Sequence, residues 1–413
     1  MLTLIRAGRL IDGTAAPPRD AVTIVVEDGR IREIVDEGRS AEPQGENVVR
    51  LDYSAYTLLP GLVDCHVHLV FSARSSALQD ILGEDNRRLM LRAVHNAQVA
   101  LRAGVTTVRD CGGRGGVTFA LRDAIEAGIL PGPRIFAAGP PITTTGGHCY
   151  FLEGEADTAE ELRRLARSLA KQGADFFKVM STGGRMTPGT NVTAAQYSID
   201  ELSALLAEAR RLNRTVAAHG HGTAGIRNAV AAGVTTIEHC TWVSEHDSVS
   251  VAYEPEVAAQ MAKQGTFLDA TLSPSVVSSR IPDSELTPAR REIRKMRPAV
   301  TEAQRAMLAL GVEPIAGTDA GVANVTLDSM PMELEALNRE LGLSPMQVIR
   351  AATHTAARAC GHEDEFGSVQ AGRRADLLVV QGDPSVDLAA IRRVRWVLRD
   401  GVPEVEDGRL IRA

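Results

Sequence analysis

Apolar and polar positions alternate in short runs over residues 4–6, 9–11, 21–27 and 31–35, the last two joined by Asp28-Gly29. Alternation on either side of an Asp-Gly pair predicts a β-hairpin. The same texture returns near the other end. Residues 375–380 are followed by Gly382-Asp383-Pro384, then residues 394–398, Asp400-Gly401 and a last stretch to Ile411. Neither piece is long enough for a stable sheet unit alone, so residues 1–58 and 362–413 are expected to combine into one small β-sandwich domain.

Between these ends the pattern changes to short apolar runs alternating with amphipathic stretches, which predicts βαβ units and a parallel sheet. The runs are residues 62–69, 106–109, 134–138, 175–180, 215–219, 235–239, 266–270 and 313–318, with amphipathic segments such as 89–103, 159–172, 199–212 and 298–310. Eight such repeats make residues 59–361 an α/β domain of (β/α)8 TIM-like barrel type, with its chemistry at the carboxyl ends of the strands. Residues 273–297, rich in arginine, read as a solvated helical excursion or subunit contact, or else as a lid for an anionic substrate.

Composition narrows the function. The chain has 413 residues, 44% hydrophobic and 23% charged, so it has ample material for a packed core. With 45 Lys+Arg against 52 Asp+Glu its formal charge is −7, and no basic stretch is interleaved with aromatics, which argues against nucleic acid as a partner. No apolar run is long enough to span a membrane, and Arg6 interrupts the first apolar residues before a secretory segment could form. Five cysteines without CxxC spacing fit reduced thiols, so a cytoplasmic location is expected. No Gly-x-Gly-x-x-Gly follows a strand into a helix, and no Gly-x-Ser-x-Gly is present.

The strand ends carry His66 and His68, Lys178, His219, His239 and Asp319. Residues two apart in a strand share a face, so His66 and His68 can reach one metal ion. An isolated His-x-His fits a pair of ordinary polar histidines equally well, and an isolated lysine in an apolar strand fits a salt bridge. Convergence of six such side chains on the strand ends favours a metal site. There a neutral Lys178 that captured carbon dioxide would become an anionic carbamate able to bridge two ions.

The ordered motifs are Pro60-Gly61-Leu62-Val63-Asp64-Cys65-His66-Val67-His68, Gly104-Val105-Thr106-Thr107-Val108-Arg109-Asp110, Thr145-Gly146-Gly147-His148, Phe177-Lys178-Val179-Met180, Ala218-His219-Gly220-His221-Gly222, Ile237-Glu238-His239 and Gly317-Thr318-Asp319. Together they resemble the amidohydrolase superfamily, and within it the imidazolonepropionase-related branch of zinc-dependent Xaa-Pro dipeptidases and dipeptide carboxypeptidases. The resemblance implies two divalent metal ions, zinc first: His66, His68 and Asp319 on the more buried one, His219 and His239 on the other, and carbamylated Lys178 between them. It also implies cleavage of an amide bond of a dipeptide or N-acyl amino acid by a metal-bridging hydroxide, with Asp319 as catalytic proton shuttle and His148 at the scissile carbonyl or substrate carboxylate. The alternative is hydrolysis of an organophosphate, carbamate, lactone, cyclic amide or other ester on the same site. Tyr150, Arg109, Arg185, Tyr197 and His221 are further candidates for substrate contact, and His221 is expected beyond the end of its strand, where Gly220 and Gly222 open a loop. A small-molecule substrate and a homo-oligomer are expected; the remaining histidines, His95, His246, His354 and His362, read as surface or helix residues.

Overall fold

The computed structural model describes residues 2–36 and 48–411; residues 37–47 and 412–413, both in the expected sandwich, and Met1 lie outside the described residues. Four strands lead the chain: β1 (Leu2–Leu10), β2 (Arg19–Glu27), β3 (Arg30–Asp36) and β4 (Val48–Pro60). Eight short strands follow: β5 (Leu62–Val67), β6 (Val105–Asp110), β7 (Arg134–Ala137), β8 (Phe177–Met180), β9 (Val216–Gly222), β10 (Thr236–Val243), β11 (Phe267–Asp269) and β12 (Pro314–Ile315). The chain closes with β13 (Leu377–Val380), β14 (Val394–Arg399), β15 (Val402–Glu406) and β16 (Arg409–Leu410).

The two ends share one mixed sheet in the order β16-β15-β14-β13-β4-β1-β2-β3. Asp28 and Gly29 both have positive φ and turn β2 into β3, as the Asp-Gly signal predicts. Instead of two stacked sheets, hydrogen bonding is continuous through β4, which runs parallel to β1 and antiparallel to β13. The sheet curls on itself: Arg30 bridges Arg374, and Ala375 N–H donates to Gly29 O. Inside the curl Ile5, Ile24, Val26, Leu58, Leu377, Val379 and Leu398 form one apolar cluster.

The eight middle strands are parallel and fall into the orders β5-β6-β7 and β12-β11-β10-β9-β8. Their residues are buried almost throughout, as expected for strands covered on both faces. At one seam Cys65 N–H donates to Ala316 O and Asp319 N–H to His66 O; at the other Asp175 N–H donates to Ala137 O and Ile142 bridges Val179. Helices cross between the strands, two of them opened by full capping boxes, Thr158 with Glu161 and Ser198 with Glu201. Gly61 marks the passage from the shared sheet into the parallel strands, where any Cβ would lie 2.1 Å from Thr106 Oγ1.

The arginine-rich segment is exposed at Arg280, Arg290, Arg291 and Lys295, while Met296 and Arg297 tie it to the body. A short helix, Ser273–Ser279, is followed by a long one, Pro288–Ala309, that begins ten residues before Pro298. Thr287 caps its amino end and Pro288 occupies the first turn, where a missing N–H costs nothing. Arg294 donates to Ser278 O and Ile281 O, and Arg297 to Ser275 O and the Glu340 carboxylate. Among the described residues no helix is long and apolar enough to cross a membrane.

Candidate metal centre

The strand ends bring the expected side chains together. His66 lies at the end of β5 and His68 just beyond it; Lys178 is in β8, His219 and His221 in β9, His239 in β10, and Asp319 follows β12. Two clusters result, His66 with His68 and Asp319, and His219 with His221 and His239, each with its ligand atoms within 4.8 Å of one another. Asp319 Oδ1 is 3.5 Å from His66 Nε2 and 3.3 Å from His68 Nε2. The His66 and His239 rings, 5.2 Å apart, join the clusters. Lys178 is buried with no hydrogen-bond partner for Nζ, its nearest carboxylate oxygen being Glu238 Oε2 at 3.9 Å.

Local backbone explains the aim of several of these groups. Contrary to the expected loop, β9 continues through His221 to Gly222, because His221 N–H donates to Thr182 Oγ1 and Gly222 rejoins β10 at Val243. His219 and His221 therefore share a face, their rings 4.7 Å apart. Asp319 has φ +55 and is held against β5 through Asp64, which accepts from Thr318 N–H, Thr318 Oγ1 and His66 N–H.

Burial disfavours the charged form of five of the site imidazoles, His66, His148, His219, His221 and His239. Burial, with Lys178 nearby, lowers His66 to about 4 and burial lowers His148 to about 3. His219, His221 and His239 are held well below the ordinary value by burial and by one another. Their nitrogen lone pairs are thus available to a cation. Burial opposes ionisation of Asp319, but His66, His68 and Lys178 outweigh it and hold the carboxyl below its usual value. A carboxylate within reach of two imidazoles, beside an unpartnered buried lysine, is a donor set that fits divalent metal ions.

Below the clusters lies a group that sequence reading leaves out. Glu238 is fully buried, with Oε2 2.8 Å from His66 Nδ1 and Oε1 accepting from Arg109 at 2.8 Å. Burial works against its charge, yet Lys178, Arg109 and His66 hold it far below the usual carboxylate range, while Asp269 beside it is pushed well above. Its signal was a charged residue in an otherwise apolar strand next to a histidine, the same signal that singles out Lys178.

The candidate substrate contacts divide. His148 is buried with its ring 4.6 Å from that of His219; Thr187 Oγ1 lies 2.9 Å from its Nδ1, and Gly184 leaves the room its ring occupies. Arg185 is exposed, the partial burial of its guanidinium lowers its pKa, and it acts on His221. Tyr150 is 42% exposed. Two expectations are corrected. Arg109 is buried beneath the site, its guanidinium taken up by Cys65 O and Glu238, and Tyr197 is buried with its hydroxyl donating to Ala156 O. The Tyr197 hydroxyl is spent on that bond, and Arg109 uses Nε and Nη2 internally while its buried Nη1 has no partner. Of the other histidines, His95, His246 and His362 are exposed and His354 opens a helix, as expected. Cys65 packs against the His354–Ala359 helix and Cys240 against Met307.

Residues 57–402 match the Amidohydrolase family. Ochratoxinase of Aspergillus niger is 27% identical over 96% of this chain and 84% of that protein. Imidazolonepropionase of Salinispora tropica is 26% identical over 98% of each. A solved Xaa-Pro dipeptidase with methionine bound in its active site has a TM-score of 0.87 and 31% identity, covering 98% of this chain and 100% of that one. The chain belongs to the amidohydrolase family.

Proposed function

We propose that this member of a metal-dependent hydrolase family is a binuclear amidohydrolase that cleaves the amide bond of a dipeptide or N-acyl amino acid. One observation carries the reading: two three-ligand clusters converge on a buried lysine whose amine has no hydrogen-bond partner. The likeness to a Xaa-Pro dipeptidase supports the substrate class. We read the parallel strands of residues 59–361 as a closed (β/α)8 barrel and the shared sheet of residues 1–58 and 362–413 as its companion domain. Both seams between the parallel sheets carry backbone hydrogen bonds, which supports closure.

In this reading His66, His68 and Asp319 would hold one ion and His219 and His239 the other, with Lys178, as its carbamate, a ligand available to both. Zinc is the first candidate, and a divalent ion held there would supply a water of pKa lowered to about 7 and a Lewis acid for the carbonyl. The chain's own groups do the rest. Asp319, in reach of both ligand imidazoles and partly open to solvent, accepts the proton of the attacking water and delivers it to the departing nitrogen. Thr187 Oγ1 accepts from Cys149 N–H; with its hydroxyl donating to His148 Nδ1, the other ring nitrogen carries a proton for the substrate oxygen. Glu238 Oε2, 2.8 Å from His66 Nδ1, places negative charge on that side of the ring and leaves Nε2 for the ion. Five free, buried cysteines support a reducing compartment.

The test is a metal count on protein produced with zinc and bicarbonate, joined to a hydrolysis screen of dipeptides and N-acyl amino acids beside esters and organophosphates. Two ions per chain and turnover of the amide panel are expected. Fewer than one ion overturns the metal centre; turnover confined to the ester or organophosphate panel overturns the substrate class.

A further inference from the structure

The backbone around His239 departs from the strand that carries it. Thr236 and Glu238 share a face of β10, with Thr236 Oγ1 donating to Glu238, and that face looks toward His66 and Lys178. Strict alternation would send His239 the opposite way, toward the helices. Instead β10 leaves its register with β9 after His239 and recovers it only at Val243. Over that stretch His239, Cys240 and Trp242 have φ values of +65, +47 and +54. L-residues rarely adopt such a backbone, so the conformation persists only where its surroundings impose it.

Those surroundings are one face of the Pro288–Ala309 helix. Gln304, 1% exposed, donates from Nε2 to His239 O at 2.9 Å, replacing a ladder partner lost at the irregularity. Met307 Sδ accepts from Trp242 Nε1 at 3.2 Å and lies 3.9 Å from Cys240 Sγ. From the other side Thr271 Oγ1 is 2.6 Å from His239 Nδ1.

We propose that Gln304 and Met307 are positioning residues that clamp the left-handed stretch of β10 and so turn the His239 imidazole onto His219 and His221, making cation binding at that cluster depend on a helix that contributes no ligand. The proposal rests on the reading of that cluster as a metal site. Without the clamp, β10 relaxes toward extended pairing and His239 turns away, whereas His66, His68 and Asp319, held by β5 and Asp64, are untouched.

Zn2+ and Co2+ binding by chelator competition, with the Co2+ visible spectrum, on the wild-type chain, Gln304→Leu and Met307→Leu tests this. In Gln304→Leu one of the two ions is expected to weaken by about 10- to 100-fold, the range typical when a partner that orients a ligand is lost, while the other keeps its affinity. The Co2+ spectrum should lose one component. Met307→Leu conserves core volume and removes the sulfur acceptor, so it decides the matter if Gln304→Leu does not fold; a smaller change at the same single ion is expected. Two ions bound with wild-type affinity and an unchanged spectrum in the folded variants overturn the clamp. So does parallel weakening of both ions, which marks a general loss of structure. A wild-type chain that binds neither metal overturns the metal centre itself, and the clamp with it.

Discussion

Lys178 is fully enclosed, its amine without a hydrogen-bond partner and 3.9 Å from a carboxylate already engaged by His66 and Arg109. The proposed carbamate would place an anion with two oxygens at that position. Lys178→Ala should therefore abolish hydrolysis and lower the metal content, and short carboxylic acids should restore part of both; full activity in the variant, read by a direct turnover assay, would defeat the carbamate. Asp319 makes a separable prediction. Because Asn keeps the shape but cannot accept and return a proton, Asp319→Asn should cut turnover by at least ~10² while substrate binding stays measurable. Unchanged kcat would remove Asp319 from the proton path. Both residues were legible because each is local to a strand end. Glu238 carries the same local signal as Lys178, but its role is set by Arg109 and His66, which fold against it from far along the chain.

Among the secondary elements, the Ser273–Ser279 helix is tied to its neighbour by a single buried carboxylate. Glu333, in the first turn of the Met330–Leu341 helix, accepts from Leu272 N–H, Ser273 N–H and Ser273 Oγ. Burial raises its pKa to about 7 against those donors. A raised carboxyl binds its proton more tightly in the folded chain, so its contribution to stability is fullest below the unfolded value of 4.5 and is lost as pH rises to about 7. Relative to Glu333→Gln, the wild-type chain should lose about 3 kcal/mol of unfolding free energy over that window. Parallel denaturant titrations of the two proteins across that range check it, and a constant difference would show that Glu333 stays ionised. What the sequence showed at this scale depended on how locally each signal was written. The Asp28-Gly29 hairpin and the eight parallel strands could be read from short patterns, but β4 could not, since its polar Arg50 and Asp52 match a loop until β1 pairs with them. Likewise Gly220 and Gly222 read as a strand end, although the partners on either side carry β9 through them.

Across the whole molecule the two chain ends act as one element, because β13 is inserted between β14 and β4 and not appended to an edge. All four of its residues, Leu377–Val380, are fully buried, and burial of four such side chains is worth about 6–12 kcal/mol, comparable with the whole stability of a typical domain. The same strands brace the parallel unit: Gly61 N–H donates to Asp376 O, Arg399 to Gly132 O, and Leu378 packs where a Cβ on Gly104 would stand. β16, by contrast, is a two-residue strand on the sheet edge. A chain stopped after Asp407 should accordingly melt within a few degrees of the full-length protein and keep its metal content. One stopped after Asp376 should fail to fold, and with it should go the catalytic site, although no proposed ligand lies beyond Asp319. Circular dichroism, thermal unfolding and metal analysis on the two truncations decide between a companion domain that is part of the folding unit and one that is dispensable; a soluble, metal-loaded chain ending at Asp376 would establish the latter.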